Sequence, residues 1–177
     1  RQMEERYKVT KIVGLFGIIG NIFLLIIKGI IGTITKSQAM IADSINSAGD
    51  IFASIMTFIG NKIASVPKDE NHNFGHGKAE YIFSLLISLS MIGVSLKMIV
   101  EAIIKLINGS EIIYSNWLII VCIVTILIKL MLYFYTKNKY KLCNNILLEA
   151  NMKDHRNDCI ITTFTLISIL LSIKGIY

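Results

Sequence analysis

Residues Ile12–Ile34 read IVGLFGIIGNIFLLIIKGIIGTI, with one lysine and no acidic residue. A helix needs about 20 mostly apolar residues to cross the hydrocarbon core of a bilayer, so this stretch is long enough to span it. Residues Trp117–Tyr135 form a second such block, with Lys129 as its single charge. Because the other charges crowd the gaps between apolar blocks, the sequence predicts an all-α, polytopic membrane protein.

Several other classes of protein fit the sequence less well. The first apolar block is too long for a secretory signal peptide and is not followed by a small-residue cleavage site. The net charge of +6 fits lysine-rich cytoplasmic loops better than a nucleic-acid partner. The three cysteines lack CxxC spacing, which favours small buried residues over a disulfide or zinc framework. Without a phosphate-binding loop or a nucleophile motif, we expect neither an enzyme nor a cofactor.

The apolar blocks and the breaks between them predict five helices. Pro67 ends the second helix because proline cannot continue a helix, and the run Asn108–Ser110 stops the third. The predicted helices cover about residues 7–34, 38–66, 78–107, 114–137 and 140–173 of one transmembrane domain.

Basic residues predict the orientation of these helices. They cluster before the first helix and at the second and fourth junctions, whereas the first and third junctions carry few. The positive-inside rule then places the N-terminus in the cytoplasm, and we expect a cell membrane, most simply a bacterial inner membrane. Five spans leave Tyr177 on the outer side. Either a sixth helix is missing from the chain or the protein has five spans.

Two predicted helices carry polar residues near their middles. Asn46 and Asp50 are four residues apart on the second helix, as are Asp154 and Asp158 on the fifth. Residues at this spacing lie on one helix face. A charged residue at the bilayer centre costs about 2.5–3.5 kcal/mol, so such residues are expected to face an ion, a partner or a wet cavity.

These two pairs offer four oxygen ligands, enough to hold a divalent cation. Without an ion the three carboxylates repel one another, and at least one tends to take up a proton, which suggests exchange of metal for protons. A structural interpretation stays open. The polar residues of the second helix can hold helices together, and Asp154 can pair with Lys153 or Arg156 at the membrane interface.

A second polar cluster follows Pro67. Asp69, His72 and His76 form a possible metal site, since imidazole suits zinc and neighbouring metals. A solvated loop whose histidines bond to the backbone explains the same residues equally well.

Three segments together resemble the cation diffusion facilitator family of metal/proton antiporters. They are NHNFGHGKAE (residues Asn71–Glu80) and the runs Asp43–Asp50 and Ala150–Asp158. The resemblance covers nearly the whole chain. It implies a six-helix bundle and a cytoplasmic domain that dimerises, so we expect a homodimer; the sixth helix and that domain are absent from this sequence.

The resemblance also implies the site residues. It places the transport site on Asn46, Asp50, Asp154 and Asp158, and a second site on Asp69, His72 and His76. Zinc-selective members have a histidine in the transport quartet, whereas this quartet is all oxygen and resembles that of manganese exporters. Oxygen ligands suit harder ions such as Mn²⁺. His155 points about 100° round the helix from Asp154 and is a weaker ligand candidate.

The sequence therefore predicts export of a divalent metal, most simply Mn²⁺, from the cytoplasm in exchange for protons. Zinc or ferrous iron as the substrate of the same mechanism is the nearest alternative. A membrane subunit that only assembles a complex and an ion channel are alternatives of other classes. The expected partners are the metal ion, protons, the lipid bilayer and a second copy of the chain.

Overall fold

A computed structural model describes residues 2–36, 38–66, 78–109 and 116–173. Every regular element in these ranges is a helix, which confirms the predicted all-α class. The five helices are α1 (Gln2–Ile34), α2 (Gln38–Ala64), α3 (Ala79–Asn108), α4 (Asn116–Cys143) and α5 (Ile146–Ile173).

The largest difference from the predicted helices lies between α4 and α5. We expected a break near residue 138, but α4 continues to Cys143 because neither asparagine nor lysine breaks a helix by itself. The chain turns at Asn144, whose φ is +47°, a left-handed conformation that asparagine tolerates. Asn145 then caps α5, since its side-chain oxygen accepts a hydrogen bond from the Leu147 N–H at 2.9 Å.

The helices form a closed ring in the order α1, α2, α3, α5, α4, in which each helix packs against the next and α4 packs against α1. α2 and α5 also touch across the ring. The two helices that carry the polar pairs are therefore direct neighbours inside the bundle.

The interior of the bundle is polar and its surface is apolar. Buried threonine, asparagine, serine and charged side chains outnumber buried aliphatic ones, while many leucines, isoleucines and phenylalanines are exposed. Among the described residues, α1, α3 and α4 are long and apolar enough to span a membrane. α2 and α5 are 27 and 28 residues long and carry the clustered aspartates, Asp50 on α2 and Asp154 and Asp158 on α5. This pattern is that of a protein that spans a membrane.

α1 and α2 approach closely where α1 has glycine. A Cβ on Gly17 would lie 2.7 Å from the Ser54 hydroxyl oxygen, and one on Gly32 would lie 3.0 Å from the backbone nitrogen of Ile41. Small residues at such crossings let two backbones pack together in a membrane. The contact brings polar side chains of α1 within reach of α2.

One end of the bundle is tied together by polar contacts. Arg6 of α1 forms an ion pair with Glu80 of α3 at 2.8 Å, and the Asn61 side-chain amide of α2 donates to the Tyr7 carbonyl at 2.7 Å. This end carries the basic residues that begin α1 and end α2 and α4.

Candidate metal centre

Three of the four predicted transport-site residues come together in the bundle. One carboxylate oxygen from each of Asp50, Asp154 and Asp158 lies within 4.8 Å of the other two. Two oxygens that share an ion at about 2.2 Å lie at most about 4.4 Å apart, so side-chain shifts of a few tenths of an ångström bring the triad into ligand geometry. Asp154 is the most buried, at 6% exposure.

The triad lies near the middle of both helices. Asp50 is roughly 18 Å along the axis from the start of α2, and Asp158 is roughly 18 Å from the start of α5, at 1.5 Å per residue. Each helix is about 40 Å long by the same rise. The i, i+4 spacing in α5 puts both of its aspartates on one face, where they cluster with Asp50 of α2.

A cavity of about 30 Å³ lies beside the triad and is large enough for an ion or a water molecule. Its lining includes all three aspartates together with Gly49, Ser90 and Asn157. A larger groove of about 370 Å³ runs between α3 and α5 and shares Met91, Ser95 and Asn157 with the cavity. The small cavity beside the triad therefore borders this groove.

Lys129 of α4 contacts two members of the triad and was not predicted as a site residue. Its ammonium nitrogen is 2.8 Å from Asp158 Oδ2 and 3.2 Å from Asp50 Oδ2. It also donates to Asn21 Oδ1 of α1 at 2.7 Å, and the side chain is 1% exposed. An ammonium group has three protons to donate, and these three oxygens accept all of them.

Two sequence signals point to these missed residues. Lys129 is the single charge of an apolar block, and an intramembrane charge is a functional-site hypothesis by default. Asn21 is a single amide in the apolar run of α1, where it also donates to the Ser54 hydroxyl at 3.3 Å. The spacing rule could not link them to the aspartates because Lys129 lies on α4 and Asn21 on α1, whereas the aspartates lie on α2 and α5.

Asn46, the fourth predicted ligand, is held elsewhere. Its side-chain oxygen accepts a hydrogen bond from Lys97 of α3 at 3.2 Å, and it is not among the described residues that line the small cavity. Asn46 lies one turn before Asp50 on α2. A change of its side-chain rotamer is needed before it joins the triad.

The other predicted metal site lies outside the described residues, because Asp69, His72 and His76 fall between residues 66 and 78. His155 is described and is 1% exposed. It does not belong to the carboxylate cluster, in line with its expected direction on α5.

A second buried lysine lies closer to the end of the bundle. Lys28 of α1 forms an ion pair with Asp43 of α2 at 3.1 Å and donates to the Ser47 hydroxyl at 3.0 Å. The Asp43 side chain is 45% exposed. Asp43 thus has a lysine partner of its own.

Comparison with known proteins agrees with this architecture. Residues 15–177 match the family model of the cation efflux transmembrane domain. Among curated relatives, an uncharacterised transporter of Methanocaldococcus jannaschii is 35% identical over 92% of this chain and 58% of its own length. The manganese efflux system protein MneP of Bacillus subtilis is 32% identical over 97% of this chain and 57% of its own length.

More distant relatives include the cation-efflux pump FieF of Shewanella oneidensis, 29% identical over 86% of this chain and 51% of its own length. The chain spans about half the length of the curated relatives it matches.

The fold and these matches define a multi-pass membrane protein of a cation efflux family. The chain belongs to the cation diffusion facilitator family, whose members carry the cation efflux transmembrane domain.

Proposed function

We propose that this chain is the membrane-embedded part of an exporter that moves divalent cations, Mn²⁺ foremost, out of the cytoplasm in exchange for protons. The observation that carries the proposal is the triad of Asp50, Asp154 and Asp158, whose oxygens lie within 4.8 Å of one another in the middle of the bundle. Asn46 is the fourth ligand of the proposed site and joins it on release from Lys97.

The chemistry of the ligands supports a hard divalent ion. All four side chains offer oxygen, and carboxylate and carbonyl oxygens suit Mn²⁺, Mg²⁺ and Ca²⁺ better than they suit soft metals. The name of the relative MneP records manganese efflux. Zinc binds most ligand sets more tightly than manganese does, so zinc and ferrous iron remain the substrates to be compared with Mn²⁺.

Proton exchange follows from the same oxygens. A proton and a metal ion compete for a carboxylate, so protons that reach the triad from the outer side help to release the ion there. The groove between α3 and α5 supplies the inward path in this proposal, because it borders the small cavity. Rocking of the helices about the triad then exposes the ion to each side in turn.

The remaining features of the proposal concern the whole protein. We place the end of the bundle that holds the Arg6–Glu80 ion pair in the cytoplasm of a bacterial cell, and we expect two copies to work as a homodimer. Since the family is one of transporters, we expect no enzymatic activity. A subunit that only assembles a complex would show no metal dependence.

The test is calorimetric titration of the purified chain with Mn²⁺, Zn²⁺ and Fe²⁺ in lipid nanodiscs. Titration in buffers that differ in ionisation enthalpy also counts the protons released for each ion bound. Asp50→Asn and Asp154→Asn remove one charge each, and Asp43→Asn is the matched control at the lysine pair of Lys28.

We expect saturable Mn²⁺ binding with proton release, weakened at least 100-fold by each triad substitution and changed less than threefold by Asp43→Asn. If zinc or iron binds at the triad and Mn²⁺ does not, the proposed substrate is that metal and not manganese. Binding that survives both triad substitutions would reject the triad as the transport site.

A further inference from the structure

The ammonium group of Lys129 occupies the place that a shared metal ion needs. The group bridges Oδ2 of Asp158 at 2.8 Å and Oδ2 of Asp50 at 3.2 Å. A divalent ion bridging the same two oxygens lies about 2.2 Å from each. The ion and the ammonium group are both cations, so they cannot bridge these oxygens at the same time.

The formal charge around Lys129 can balance a divalent ion as well as the ammonium group, although the two cations cannot occupy the same position. Three carboxylates and one ammonium group carry a formal charge of −2 when all four are ionised. A divalent ion brings this sum to zero if the lysine stays nearby. The site thus has the charge for one divalent ion in addition to its own lysine.

Asn21 provides a place to which the lysine can withdraw. Its side-chain oxygen already accepts from Lys129 at 2.7 Å, and its amide group is anchored to the Ser54 hydroxyl at 3.3 Å. Lysine carries its charge on a flexible four-carbon stem. A small rotation of this stem moves the nitrogen away from the carboxylates while the bond to Asn21 persists.

We propose that Lys129 is a tethered competitor of the transported metal: it bridges Asp50 and Asp158 in the empty transporter and withdraws onto Asn21 when the ion binds. The inference rests on the proposed function and adds a residue that sets the affinity of the same site. By returning to the carboxylates, Lys129 favours release of the ion and stabilises the empty site.

The competitor role and a purely structural role predict opposite changes in affinity. Lys129→Met removes the ammonium group and keeps a chain of similar length, and Lys28→Met is the matched control at the other buried lysine. The experiment measures the Mn²⁺ dissociation constant of both variants in nanodiscs, together with the increase in thermal midpoint that saturating Mn²⁺ produces.

We expect Lys129→Met to bind Mn²⁺ at least tenfold more tightly than the unaltered chain and to show a larger increase in thermal midpoint. Lys28→Met stays within threefold of the unaltered chain. A structural lysine would instead give weaker binding and an unfolded or loosened site. Unchanged or weaker binding by folded Lys129→Met therefore overturns the proposal.

Asn21→Leu tests the proposal with Lys129 in place, and it decides the matter if Lys129→Met does not fold. Without Asn21 the displaced ammonium group has no acceptor, so we expect Mn²⁺ binding to weaken at least threefold. Unchanged binding by Asn21→Leu contradicts the withdrawal step. If Mn²⁺ binding of the unaltered chain does not depend on Asp50 and Asp158, the proposed function itself fails, whatever Lys129 does.

Discussion

Lys28 and Lys129 are both buried lysines that pair with an aspartate of α2, but the charges around them differ. Among the residues that the structure describes, Lys28 pairs with one carboxylate, that of Asp43, which balances its charge. Lys129 contacts two carboxylates, those of Asp50 and Asp158, and these cluster with Asp154. The three carboxylates together exceed the charge of Lys129 by two when all are ionised. The comparison teaches that a buried lysine–aspartate pair is not by itself a site, whereas an excess of two negative charges suits a divalent ion.

Depth separates the two lysines as well. Lys129 is near the middle of α4, whereas Lys28 is roughly 9 Å from the C-terminal end of α1 at 1.5 Å per residue. The Asp43 side chain next to Lys28 is 45% exposed. Breaking the Lys28 pair therefore leaves a carboxylate that solvent or lipid headgroups can reach, which is not true of the buried Asp154.

The largest expected effect is on the stability of the metal-free protein. Lys129→Met leaves three carboxylates in the bundle without their cation, and loss of one partner of a buried ion pair costs about 3–5 kcal/mol. Lys28→Met should cost roughly 1 kcal/mol, as for a partly exposed pair. Unfolding in mixed micelles of rising SDS fraction measures the difference in the free energy of unfolding.

Lys97→Met is the control for this comparison, since the Lys97 side chain is 42% exposed and its loss should change the free energy of unfolding by about 0.5 kcal/mol or less. Equal losses at Lys28 and Lys129 would mean that the two lysines have the same role. The conclusion that charge and depth give Lys28 and Lys129 different roles would then be wrong.

Lys28 and Lys129 also show which features of the structure can be predicted from the sequence. Five helices and the membrane class were predicted correctly because long apolar blocks and their breaks are local signals. Asp154 and Asp158 lie on the same side of α5 because they are four residues apart. Their role in binding metal stays a prediction.

The partners of Lys129 could not be predicted in the same way. Lys129 is 79 residues from Asp50 and 108 residues from Asn21 in the chain. No periodicity of one helix tells which neighbour it meets, because that depends on how the helices pack. The break at Asn144 was missed for a different reason: its signal is a pair of asparagines rather than the glycine or proline that commonly ends a helix.

The next effect concerns the close approach of α1 to α2. Gly17 lies next to Ser54, which accepts a hydrogen bond from Asn21. Asn21 in turn accepts a hydrogen bond from Lys129, so Gly17→Ala would disturb the side chains that hold Lys129. A Cβ there lies 2.7 Å from the Ser54 hydroxyl oxygen, and such overpacking costs about 1–3 kcal/mol. The free energy of unfolding in SDS micelles and the Mn²⁺ affinity should both fall.

Gly29→Ala, one residue after Lys28, is the matched control because its Cβ would meet no atom within 4 Å. Alanine there should stabilise α1 by about 0.5–1 kcal/mol, as expected inside a helix. A loss of stability in Gly29→Ala comparable to that in Gly17→Ala would show that the effect belongs to α1 as a whole and not to the Lys129 side of the bundle.

The smallest effect tests whether Asn46 belongs with the triad or with α3. Its oxygen now accepts from Lys97, so metal binding has to break this hydrogen bond before Asn46 becomes a ligand. A neutral amide oxygen adds less to a cation site than a carboxylate does, and Asn46→Ala should weaken Mn²⁺ binding roughly tenfold, which corresponds to about 1.4 kcal/mol. Lys97→Met frees the amide and should strengthen binding two- to threefold. If Asn46→Ala and Lys97→Met both leave the dissociation constant unchanged in calorimetry, the site consists of the three aspartates alone, and Lys129 then competes for an ion whose remaining ligands are water.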